Sequence, residues 1–151
     1  MRSFTAFAFC VAAVPIPHPG DRRASWRIVP VPASVPRARR LVRDKLAEWE
    51  IGDEQDEIAL LVSELVTNAL CHAWGPIWLA VSYEEGTLRC EVDDANPVLP
   101  RVRDADRGDE RGRGLQLLDL FSDRWGSERT PTGKVSWFEL SVPARSDGTA
   151  A

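Results

Sequence analysis

The chain predicts an α+β fold, a two-layer sandwich with helices on one face of a mixed or antiparallel sheet, on three observations. Two pairs of alternating, strand-like segments occur, residues 77–83 with 88–94 and residues 123–128 with 135–142. Two stretches of helical apolar period precede the first pair, and a shorter one separates it from the second. Strands and helices that each carry one apolar side must cover one another, and a single layer of helices on a single sheet does this.

Each element has its own local signal. Residues 26–31 alternate and are β-branched, so they read as a first strand that Pro30 and Pro32 end. Ser34 is placed to cap a helix with Pro36 in its first turn, whose buried side is Val35, Ala38, Leu41, Val42, Leu46 and Trp49. Gly52 is expected to end that helix and Asp53 to cap the next. The second helix centres its apolar side on Ile58, Val62, Leu65, Val66 and Ala69, and Gly75-Pro76 breaks it. The first hairpin turns at Glu85-Gly86, and the second crosses Pro131-Thr132-Gly133. Between the hairpins, residues 97–113 lose apolar period and fill with Arg, Asp, Glu and Gly, a longer loop than most inside a compact domain. Leu115, Leu117, Leu118, Leu120 and Phe121 then form the third helix.

At 151 residues the chain suits one domain with a real core, read here as residues 25–143 between a flexible N-terminal extension, 1–24, and a disordered tail, 144–151. A charged content of 28% and a net charge of -4, with basic residues dispersed among acids, argue against direct binding to nucleic acid. The apolar run at residues 4–14 is too short to span a bilayer, so no membrane partner is expected. Three cysteines, Cys10, Cys71 and Cys90, lack metal-ligand spacing and form no complete disulfide set, which suits a reducing cytoplasm.

Chemistry concentrates on the second helix. Glu64, Asn68 and His72 stand four residues apart and so point the same way, a carboxylate, a carboxamide and an imidazole on one stripe. As the wet face of an amphipathic helix they need no function. Downstream, however, Asp93-Asp94-Ala95-Asn96-Pro97 closes a strand, and Gly112-Arg113-Gly114 opens a helix. A carboxylate, an oxygen-donor side chain and a glycine-rich helix start are the parts that a magnesium–nucleotide site requires.

The order of elements, Glu64-x-x-x-Asn68, Asp94 and Gly112-x-Gly114 together resemble the Bergerat ATP-binding fold of histidine kinases, gyrase-type ATPases and anti-sigma-factor serine kinases. Ser34-Val-Pro36-Arg-Ala38-Arg39, Ser63 to Ala69, Asp123-Arg-Trp-Gly126, and Gly133-Lys134 with Trp137 to Leu140 narrow the resemblance to small bacterial anti-sigma-factor serine/threonine kinases of the actinomycete type. The likeness covers residues 25–143.

What the resemblance implies is an ATP-binding transcription regulator using ATP and Mg2+ to phosphorylate a serine or threonine on a small antagonist protein. Asn68 would ligate magnesium, Glu64 would be the catalytic base, and Asp94 would accept from the adenine amino group. Gly112 and Gly114, with Arg113 and Leu115, would meet the phosphates beneath a lid formed by residues 97–113, and His72 would support the site from behind. Partners would be a sigma factor, its antagonist, or both, with a homodimer through the first strand and helix. Two departures stand out. Ala95-Asn96-Pro97 replaces glycines that often follow the aspartate, and Val135 stands where the final strand often offers threonine beside the adenine. A second function class stays open, a nucleotide-gated partner-switching module with little or no kinase activity. A metabolic enzyme and a complete histidine kinase fit the sequence poorly.

Overall fold

The computed structural model describes residues 22–51, 54–72, 75–96 and 110–142. In chain order the elements are β1 (Arg22–Ile28), α1 (Ser34–Glu48), α2 (Gln55–His72), β2 (Ile77–Glu84), β3 (Thr87–Asp94), α3 (Glu110–Phe121), β4 (Arg124–Thr130) and β5 (Gly133–Ser141). The strands form one sheet in the order β1-β2-β3-β5-β4, and every neighbouring pair is antiparallel. The expected two-layer α+β sandwich is present, with the sheet antiparallel rather than mixed.

The pleat divides the sheet into two unlike faces. Leu79 and Val81 of β2 sit in register with Val92 and Cys90 of β3, and Cys90 with Phe138 of β5, and together with Ile77 they form one core with α1 and α2. α2 supplies Ile58, Leu61, Val62, Leu65, Val66 and Ala69 to that core and packs against α1, α3 and β3. Burying each such branched side chain contributes roughly 1.5–3 kcal/mol, which outweighs the small propensity differences along the helix. On the outer face, Arg89 binds Glu91 at 2.6 Å and Glu139 at 2.7 Å and lies over the Trp137 ring.

Several boundaries differ from the sequence expectation, each for a local reason. β1 is shifted toward the N-terminus, because its pairing with β2 ends at Ile28↔Ile77 and the Val31 N–H then bonds to the Val29 carbonyl in a tight turn. Ser34 does not cap α1. It is the first helical residue and is buried, Ala33 occupies the cap position without a side-chain bond, and backbone bonds to the Val31 and Pro32 carbonyls serve instead. α1 ends at Glu48, with Trp49 as its cap and Glu50 beyond it at φ 56°, rather than at Gly52, which lies with Asp53 outside the described residues. The Ile51 N–H reaches the Leu46 carbonyl and the Glu50 N–H reaches that of Ala47, a left-handed helix stop made without glycine.

The first hairpin turns where expected. Glu85 and Gly86 both have positive φ, 49° and 79°, as a two-residue turn matching the twist of its strands requires. Gly86 also accepts from the Val142 N–H, and the Tyr83 hydroxyl donates to the Val142 carbonyl, fixing the end of β5 to this turn. Arg22 to Ala24, expected in the flexible extension, belong to β1, where they pair with β2, while the rest of that extension, 1–21, most of the expected lid, 97–109, and the tail beyond Val142 lie outside the described residues.

Candidate functional site

α2 presents Glu64 and Asn68 of the polar stripe on one side, as the sequence predicts. Leu61, Leu65 and Ala69 are in the core, while Glu64 and Asn68 are half-buried and Leu60, one turn before Glu64, is 40% exposed. The stripe is therefore partly enclosed and still open to an incoming group. Burial raises the pKa of the Glu64 carboxyl above its ordinary range, so its carboxylate binds a proton more readily than one in water. Behind it, the Ser63 hydroxyl is turned inward and donates to the Ala59 carbonyl at 2.8 Å. His72 ends α2, but its side chain lies outside the described residues.

α3 packs on α2 and begins at Glu110, two residues earlier than the glycine-rich start that the sequence suggests. Gly112 and Gly114 consequently lie within the first turns of the helix rather than ahead of it. Each glycine costs a helix about 1 kcal/mol relative to alanine, and two of them leave part of the first turns without side chains. The side chains of Arg113 and Leu115 lie outside the described residues.

The third part of the site is built differently from the expectation. Asp94 closes β3 and is buried, and directly across the sheet from it stands Lys134 of β5. The Lys134 ammonium lies 3.2 Å from Asp94 Oδ2 and 3.3 Å from Oδ1, and it donates to the Asn96 carbonyl at 3.3 Å. The Asn96 N–H donates to Asp94 Oδ1 at 2.8 Å, a turn in which the aspartate bonds to the backbone two residues on. Gly133 completes the enclosure, since a Cβ there would fall 1.9 Å from the Asp94 carbonyl oxygen and 2.6 Å from the Ala95 Cα. No side chain fits at position 133 while β5 stays in place.

Register also corrects the expectation for Val135. Paired residues share a face, and Val135 pairs with Asp93, so it lies on the face opposite Asp94. Ser136 lies on the face of Asp94 and Lys134, its hydroxyl 3.0 Å from that of Ser127 on β4. Valine at 135 therefore removes nothing from beside Asp94. Lys134 is the residue that sequence reasoning missed, although alternation in β5 carried the signal: Lys134, Ser136, Phe138 and Leu140 share the face of two core residues.

The residues divide in how well they suit magnesium–ATP. Magnesium keeps water and phosphate oxygens as most of its ligands, so a single half-exposed amide oxygen at Asn68 fits that end. No group of three His, Cys, Asp or Glu side chains gathers among the described residues to hold a metal without such help. At the base end the fit fails as the chain stands. The Asp94 side chain is 1% exposed and already accepts from two donors.

The model of the histidine kinase-like ATPase domain matches residues 28–139. No curated protein matches the chain. Among solved structures, the histidine kinase domain of a blue-light activated histidine kinase from Erythrobacter litoralis EL346 is similar at 23% identity and a TM-score of 0.49, over 73% of this chain and 60% of that one. The chain thus spans about three fifths of that structure's length. The family match runs from the last residue of β1 into β5 and takes in all three helices, and so the chain belongs to the family of histidine kinase-like ATPase domains.

Proposed function

We propose that this domain binds magnesium–ATP and transfers its γ-phosphoryl group to a serine or threonine hydroxyl on a small antagonist protein, as an anti-sigma-type regulator of transcription. The observation that carries the reading is the pairing of a half-buried, proton-hungry Glu64 with Asn68 one turn away on an accessible stripe. Magnesium–ATP supplies the phosphoryl group and the charge neutralisation. Asn68 would hold the metal end in place, and the glycine-rich start of α3 would let backbone approach the phosphates.

Glu64 has the acid–base task. Its raised proton affinity brings it closer to the pH at which it must take the hydroxyl proton, and such a base contributes about 10²–10⁴-fold. Glu64→Gln should keep magnesium-dependent nucleotide binding and lower phosphate transfer to the antagonist by about that factor. Unchanged transfer by this variant would remove Glu64 as the base. In the active form the rate rises with pH through the raised pKa of Glu64, because only the carboxylate accepts a proton.

A second reading, a nucleotide-gated module that switches between a sigma factor and its antagonist without transferring phosphate, is favoured by the engaged state of Asp94. Nucleotide-dependent partner exchange with no phosphorylated product would select it. Either reading puts the protein in the cytoplasm, where Cys71 and Cys90 remain thiols.

A further inference from the structure

Resting on the nucleotide reading above, we infer that Lys134 sets the base selectivity of this site by filling, from within the sheet, the donor position opposite Asp94. An aspartate recognises adenine by accepting a hydrogen bond from the exocyclic amino group, which needs an oxygen lone pair that the base can reach. Here the Lys134 ammonium is 3.2 and 3.3 Å from the two oxygens, the Asn96 N–H takes Oδ1, and both side chains are almost fully enclosed. A neutral amino group offers a weaker bond than an ammonium, since charge-assisted hydrogen bonds are roughly twice as strong as neutral ones. The base amino group therefore does not displace Lys134 unaided.

Three features hold the ammonium in place. Cross-strand register puts the two residues directly opposite each other, the Asn96 carbonyl accepts from the same nitrogen, and Gly133 lets β5 close onto the Asp94–Ala95 backbone. Asn96, one of the residues standing where relatives often have glycine, thus contributes both its N–H and its carbonyl to closing the base position. Neither Glu64 nor Asn68 of α2 takes part in these Asp94 contacts, so the closure leaves the proposed phosphate end untouched. The outcome is a nucleotide site that grips phosphates and reads the base weakly.

Calorimetric titration of the full chain with magnesium and, in turn, ATP, inosine triphosphate and inorganic tripolyphosphate tests the inference. Inosine triphosphate carries an oxo group where ATP carries the amino group. The wild type should bind the two nucleotides within about threefold of each other. Lys134→Met frees the carboxylate and should raise ATP affinity at least about tenfold, with inosine triphosphate changing less than about threefold. A wild-type preference for ATP of tenfold or more, lost in Asp94→Asn, would overturn the inference while leaving the nucleotide site intact. So would weaker ATP binding by Lys134→Met. If that variant does not fold, the wild-type ratio of the two nucleotides decides alone. Absence of binding for all three ligands, in wild type and Lys134→Met alike, would overturn the nucleotide reading itself.

Discussion

Burial brings the carboxyl of Asp93 close to neutrality. Its pKa is pushed up to about 6, first by desolvation and then by the negative charges of Asp94 and Glu91. Between about pH 4 and 6 the folded chain holds a proton that the unfolded chain has released, so this group's contribution to stability falls as pH rises through that window. Above it, the charged carboxylate costs the fold stability, by less than the full shift implies because solvent screens part of its charge. Asp93→Asn should flatten this dependence and raise the urea midpoint at pH 7.5 relative to wild type. Removing one partner of a buried ion pair has the opposite sign. Lys134→Met and Asp94→Asn should each lower stability by about 3–5 kcal/mol, seen as an earlier thermal transition. At this scale Glu64, Asn68 and Asp94 are legible, because spacing along one helix or at one strand end locates them. Lys134 is not, since its partner lies forty residues away and only the register between β3 and β5 joins them.

Elements were legible where a local residue dictates geometry, as with Glu85-Gly86 in the turn and Ala38, Val42 and Leu46 along the buried side of α1. They were misjudged where a backbone bond replaces the expected side chain. Gly52 is the obvious helix terminator, yet the helix has ended before Glu50, because the Ile51 N–H can reach Leu46 only if residue 50 turns left-handed. A glutamate in that conformation is strained, whereas glycine is not. Glu50→Gly should therefore stabilise the protein by about 0.5–1 kcal/mol, measured as a higher denaturant midpoint with an unchanged slope. Leu118 shows a milder case at the end of α3. Its carbonyl accepts from both the Ser122 N–H and the Ser122 hydroxyl, and neither bond is announced by a glycine.

At the level of the whole molecule, strand order decides which parts open first. β1 and β4 are edges, while β3 has a neighbour on each side and faces α2. Amides of β3 should exchange with deuterium most slowly, and those of the β1 and β4 edges fastest among the strands. Equal exchange across all five strands would contradict the topology. Hairpins were readable because their strands are adjacent in sequence, but nothing local states that β3 pairs with β5 instead of β4. That placement matters on the ribosome. β2, β3 and α2 emerge well before β5, so for much of synthesis β3 has an unsatisfied edge flanked by Leu88, Cys90 and Val92, side chains destined for the core. Synthesis of the last described strand is thus the step that both protects the nascent chain from pairing with its neighbours and brings Lys134 to Asp94.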